Sequence, residues 1–209
     1  MAGSETVPGR TSVAADPARS TPARQTGSAP IGAIREARRI LVLGSSGSGK
    51  THFSVRLAEI LGLDVIHLDA HFWLPDSRPR GDDEWRKIVS DLSQRETWIM
   101  DGTYERSLDL RIPRADAIIL LECSPARCLA RVIERQSSAS SQPRPDLPAG
   151  YVERLDENHR RYVSNYPEVT LPAILASIER YGADTPVATL AAPDAIDPFL
   201  TRLRKTGMA

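Results

Sequence analysis

Residues Gly44, Ser45, Ser46, Gly47, Ser48, Gly49, Lys50 and Thr51 fit the pattern G-x-x-x-x-G-K-[ST] without a gap. The residue types explain the chemistry. Successive backbone N–H groups on a glycine-rich turn converge and cup a polyphosphate. A helix starting at the same point adds the positive end of its dipole. Lys50 at this spacing reaches the β- and γ-phosphates, and the Thr51 hydroxyl can sit on Mg²⁺. His52, the next residue, extends the nucleotide contact. The expected ligands are therefore ATP and Mg²⁺.

Two aspartates follow short apolar runs. Asp101, after Trp98-Ile99-Met100, is placed to orient the water shell of a nucleotide-bound Mg²⁺; the alternative is that Asp101-Gly102 is a plain turn. Asp69, in H-L-D-A-H-F-W, can hydrogen-bond or deprotonate the group that receives the phosphate; the alternative is a helix cap or a contact behind the metal. His67 and His71 flank it, but two histidines without a further ligand are weak grounds for a metal site. Phe72 and Trp73 are either packing or a stacking surface for the acceptor. Glu122 is read as structural.

Arg127, Arg131 and Arg135 recur every four residues and so share one helix face. They lead into a serine- and proline-rich stretch bearing Arg144, with Arg154 just beyond it. Transferring a phosphoryl group needs positive charge around its oxygens, and a closing flap excludes water. Arg135 and Arg144 are therefore expected to act on the transition state, with Arg131 and Arg154 beside them. Arg106 and Arg111 are candidates to hold the acceptor; the alternative is ion pairing with Glu105 or Asp109.

These residues need a scaffold. Ile40 to Leu43 reads as a buried strand before the phosphate loop, and Phe53, Leu57, Ile60 and Leu61 recur at helical spacing after it. Further strands are expected at Asp64–Asp69, Trp98–Met100, Ala117–Leu121 and Val187–Leu190. Residues 70–82 read as a loop, with Asp82 or Asp83 capping the next helix. Later helices are expected at about 125–135, 150–164, 169–180 and 194–204. Alternating strands and helices imply a three-layer α/β fold, a parallel sheet of about five strands. Ligands in such sheets bind at the carboxyl ends of the strands, where the phosphate loop, Asp69, Asp101 and Glu122 all fall.

The chain of 209 residues suits one α/β domain. Residues 1–36 are poor in large apolar side chains and are expected to be a disordered arm. The domain would span 37–209, with a mobile lid at about 136–150. Lys+Arg and Asp+Glu both number 27, which argues against a dedicated nucleic-acid binder. The two cysteines, Cys123 and Cys128, form neither a disulfide framework nor a zinc site. No apolar stretch reaches the roughly 18 residues of a membrane span, and no secretory signal is visible. A cytoplasmic protein, monomer or weak dimer, working on a small-molecule phosphate acceptor is the resulting expectation.

The segments G-S-S-G-S-G-K-T, H-L-D-A-H-F-W, W-I-M-D-G-T-Y, L-D-L-R-I-P-R-A-D and R-P-D-L-P-A-G resemble the adenylate-kinase-like phosphate-loop proteins called topology modulation proteins. Adenylate kinases are a more distant likeness. That resemblance implies a nucleotide-kinase-like fold, with Arg131 packing on the adenine and Arg135 touching the transferring phosphate. The lid arginines of adenylate kinases would map to Arg144 and Arg154, and their D-G-x-x-R element to Asp101-Gly102, with Arg106 one residue further on. The acceptor would contact Asp69, Trp73, Gly102, Arg106, Arg111 and Arg154. The expected reaction is transfer of the ATP γ-phosphate to a nucleoside monophosphate or nucleoside-like compound. The alternatives are an ATP-binding regulatory protein and an acceptor-independent ATPase.

Overall fold

The structure, a computed structural model, describes residues 31–138, 146–151 and 155–206. Five strands, β1 (Arg39–Gly44), β2 (Val65–His67), β3 (Trp98–Asp101), β4 (Ala117–Leu121) and β5 (Val187–Leu190), form one parallel sheet in the order β2-β3-β1-β4-β5. The helices are α1 (Ile31–Glu36), α2 (Lys50–Leu61), α3 (Leu68–Phe72), α4 (Asp82–Ser93), α5 (Leu108–Arg111), α6 (Pro125–Ser138), α7 (Glu157–Asn165), α8 (Leu171–Tyr181) and α9 (Ile196–Lys205).

The central strands are apolar throughout because both faces of the sheet are covered. Leu41, Leu43, Met100, Ile118 and Leu120 point to one side, where they meet Trp85 and Val89 of α4 and Ile174 of α8. Ile40, Val42, Ile99, Ile119 and Leu121 point to the other, against Phe53 and Leu57 of α2 and Leu200 and Leu203 of α9. Val42 lies opposite Asp101 on one flank and Ile119 on the other. The carboxyl ends of β1, β3 and β4 are therefore level, and the segments leaving them meet at one edge.

Four expectations change. Ordered structure reaches back to Ile31, because Ile34 of α1 is fully buried and Arg35 Nη1 donates to the Leu203 carbonyl at 3.1 Å. Ile31 and Ile34, one helical turn apart, supply that contact inside a segment whose average composition is polar. Residues 1–30 lie outside the described residues. Second, β2 ends at His67, so Asp69 stands in the first turn of the short helix α3, not at a strand end. The expected 70–82 loop is likewise part helix and part turn, the turn pinned by pairing between Trp73 and Pro79.

Third, Gly81, not an aspartate, occupies the cap of α4; Asp82, Asp83 and Glu84 instead lie in its first turn, facing the helix dipole. Fourth, α7 begins only at Glu157. Asp156 caps it by accepting from the His159 N–H at 2.8 Å, and Pro167 then imposes a wide π-type turn before α8. The expected lid spans α6 up to Ser138 and residues 146–150; 139–145 lie outside the described residues. Cys128 is a free thiol on α6, pushed up to about 12 by burial and so kept protonated. No described helix is long and apolar enough to cross a membrane.

Candidate active site

The phosphate loop joins β1 to α2 at the level edge of the sheet, and a cavity of about 1120 Å³ opens above it. Gly47 has φ 81°, and a Cβ there would lie 2.3 Å from the Cys128 carbonyl oxygen. Only glycine lets α6 seat directly on the loop. Thr103 locks the loop's other end, its hydroxyl donating to the Gly44 carbonyl at 2.6 Å and accepting from the Gly44 N–H at 3.0 Å. Lys50 Nζ curls back to the Ser45 carbonyl at 2.9 Å. Ser46, Gly47, Ser48, Gly49, Lys50, Thr51 and His52 all face the cavity, whereas Gly44 and Ser45 lie beneath it.

Beside the loop, three carboxylates gather. Thr51 Oγ1 donates to Asp101 Oδ2 at 2.8 Å and lies 3.3 Å from Asp146 Oδ2. His67 Nδ1 donates to the same Asp101 oxygen at 3.0 Å. Burial opposes a charge on His67, but the Asp101 hydrogen bond and the carboxylates of Asp101, Asp146 and Asp69 outweigh it and raise its pKa. Thr51, Asp101 and Asp146 form a hard-oxygen set that fits Mg²⁺, which keeps most of its waters and takes one or two protein oxygens. Among the described residues no group of three or more His, Cys, Asp or Glu side chains forms a metal cage.

Asp69 lines the same cavity, and the Tyr104 hydroxyl donates to its Oδ1 at 2.5 Å. Burial raises the Asp69 pKa, with Asp101 and Asp146 adding to the rise and Tyr104 and Lys50 opposing it. Burial, then Asp69 itself, raises the Tyr104 pKa, so the phenol stays protonated and keeps donating. Trp73 stands above this pair in edge contact with Phe72, its ring centroid 5.3 Å from that of Tyr151. Gly102 has φ 140°, and a Cβ there would lie 2.8 Å from Leu68 Cβ; it brings the backbone close under α3.

The arginines divide. Arg131 and Arg135 both line the cavity, and Arg131 Nη1 donates to the Gly47 carbonyl at 3.3 Å. Arg127, on the same helix, is exposed. Arg144 and Arg154 lie outside the described residues. Arg111 does not hold an acceptor. It is fully buried, with Nη1 donating to the Gly102 carbonyl at 2.8 Å, Nη2 to those of Tyr104 at 2.9 Å and Thr103, and Nε to that of Ser107 at 3.4 Å. Burial lowers its pKa, and the four carbonyls compensate the cation in place of an acid. Arg106 is exposed and away from the cavity, offering only its carbonyl to Arg86. The anticipated partner of Asp109 is also Arg86, at 2.7 Å.

Several cavity residues escaped the sequence reading. Tyr104, Tyr162 and Glu105 join the Asp69 side; His159 reaches from α7 to share a 2.9 Å hydrogen bond with Ser46 Oγ. Val55, Arg56, Pro193, Ile196 and Asp197 form the far end, where Arg56 pairs with Asp197 at 2.6 Å. Only Asp146 and Tyr104 carried a signal, inside the quoted R-P-D-L-P-A-G and W-I-M-D-G-T-Y segments; the others come together through the fold.

No family model matches the chain, and no curated protein does. Among solved structures, shikimate kinase from Acinetobacter baumannii in complex with shikimate matches with a TM-score of 0.51 at 18% identity, over 86% of this chain and 98% of that one. A gluconokinase from Sinorhizobium meliloti 1021 is similar with a TM-score of 0.46 at 18% identity, over 82% and 95%. A deoxyadenosine kinase from M. mycoides gives 0.45 at 14%, over 81% and 98%. The chain has the P-loop kinase fold: a five-stranded parallel sheet between helical layers, as the alternation of strands and helices predicted.

Proposed function

We propose that the protein is a phosphotransferase that moves the γ-phosphate of ATP onto a small acceptor. One observation carries this reading: a buried carboxylate, Asp69, with a raised pKa faces the same cavity as Lys50 and Thr51. A bare ATPase has no use for a base aimed away from the phosphate loop. Four of the five segments that resemble topology modulation proteins contribute residues to this cavity, so the resemblance belongs to the same proposal.

Adenine lies between the Arg131 guanidinium and the Val55–Pro193–Ile196 end. The loop N–H groups and Lys50 hold the β- and γ-phosphates. Thr51 and Asp101, with Asp146 beside them, hold Mg²⁺, which supplies charge neutralisation at the phosphate oxygens. Asp69 accepts the proton of the acceptor hydroxyl. The freed oxygen bonds to the γ-phosphorus, and the bond to the β-bridging oxygen breaks with its electron pair passing to ADP. Arg135 stabilises the three equatorial oxygens, and Arg144 and Arg154 are proposed to join it.

The test is a coupled ADP-release assay with Mg-ATP across acceptor classes and a no-acceptor control. Stimulation by one class, abolished in Asp69→Asn, is expected. Full ADP release without an acceptor, unchanged in Asp69→Asn, would mean an ATPase and overturn the proposal.

A further inference from the structure

Resting on that kinase reading, we infer that the acceptor is a hydroxyl compound without phosphate or carboxylate groups, and that a nitrogen cation on it is favoured. The cavity is electrically divided. Lys50, Arg131 and Arg135 stand over the phosphate loop. Across from them, the described wall consists of Asp69, Glu105, Trp73, Tyr104, Tyr151 and Tyr162, with Asp101 and Asp146 at its base. His67 is the basic side chain on this wall, and it is turned onto Asp101 at 3.0 Å.

An anionic acceptor would have to bring its charge against Asp69 and Glu105 with no described arginine to meet it. Two arginines stand near enough in sequence to have met it. Arg111 is spent on four backbone carbonyls and fully buried, and Arg106 points out to solvent. Like charges facing a desolvated ligand repel it strongly. A hydroxyl meets no such barrier. Tyr104 occupies one Asp69 oxygen, and the second oxygen is suited to take the hydroxyl proton.

Aromatic rings beside carboxylates recognise a particular chemistry. The electron-rich faces of Trp73, Tyr151 and Tyr162 attract a nitrogen cation, and Glu105 at the rim provides its counter-charge. Amino alcohols and amino sugars carry both the hydroxyl nucleophile and that cation. A nucleoside carries the hydroxyl and a ring for the Trp73–Tyr151 surface, without the cation. A nucleoside monophosphate or a hydroxy acid carries the charge this wall repels.

Binding separates this inference from the catalytic reading. The full chain with Mg²⁺ and a non-transferable ATP analogue is titrated calorimetrically with three probe sets: amino alcohols and amino sugars, nucleosides, and nucleoside monophosphates with hydroxy acids. Binding by members of the first two sets and none by the third is the expected result. Tightest binding in the third set, or none in the first two, overturns it. Glu105→Gln, an exposed substitution that leaves the fold intact, should weaken the amine probes about fivefold, as one partly exposed charge pair does, and leave nucleosides unchanged. An equal effect on both would remove the cation preference. Turnover without acceptor dependence would defeat the kinase reading while leaving these affinities to be judged on their own.

Discussion

Replacing Arg111 by methionine separates two roles that look alike in sequence. The side chain fills a fully buried site of the same length, but the carbonyls of Gly102, Thr103, Tyr104 and Ser107 lose their donors. A buried acceptor left unpaired costs about 1–3 kcal/mol. Four would sum to roughly 4–12 kcal/mol, and the guanidinium's own desolvation, several kcal/mol, is recovered. The net loss is about 3–5 kcal/mol, the range for removing one side of a buried charged arrangement. For a domain of this size each kcal/mol moves the melting point by roughly 2–4 °C. A fall of about 6–20 °C by circular dichroism is therefore expected, with guanidinium denaturation giving the same ordering. Arg111→Lys should fall between, because one ammonium cannot span four carbonyls. A melting point within about 2 °C of the parent, with only the acceptor KM raised, would show that Arg111 holds a ligand and refute the argument. Arg106→Ala is the control; it changes stability by less than about 0.5 kcal/mol.

Lys50→Ala should lower turnover by about a hundredfold or more, as loss of one preorganised donor does, while the melting curve stays put; full activity would sink the phosphate-loop assignment. Transfer should fail on the acid side as Asp69 takes up its proton, at a pH above the ordinary carboxylate value of about 3.9, because burial raises that pKa. Tyr104→Phe removes a donor to the ionised form and should move this limb further up; a pH–rate profile showing a downward move contradicts it. Asp116 accepts from the backbone of Arg38 and Arg39 and from the Arg39 guanidinium at 2.7 Å. Although burial pulls the other way, these bonds hold its pKa below the usual range. The stability it gives is present above about pH 4 and is lost as pH falls through the lower folded value. Asp116→Asn should cost about 1–2 kcal/mol near neutrality and flatten the acid side of a stability–pH curve; an unchanged curve refutes it.

The phosphate loop, the strand runs and the order of elements were legible because each depends on local pattern. Gly47 and Lys50 announce themselves by spacing, and Ala117–Leu121 by lacking any polar residue. The two faces of the sheet follow from residue parity once the strands are known. Failures came where short segments were read from averages. Ile34 was hidden in a polar arm, and Leu68 continued an apolar run that turned helical. Arg111 was read by type alone. A sequence cannot say whether an arginine's five donors meet a ligand or its own backbone. His159, Glu105 and Pro193 were invisible as site residues because each lies far along the chain from the loop it faces.

The loop from Gly102 to Tyr104 is fastened from behind, by Arg111, and the residues that would meet an acceptor stand in front of it. Fastening and recognition are thereby assigned to different side chains. Trp73, Glu105 and Tyr151 can be exchanged without touching what keeps the wall upright. The same frame is then open to retargeting: a lineage, or a designer, could change the clientele of this cavity by a few surface substitutions while its folding stability stayed almost constant.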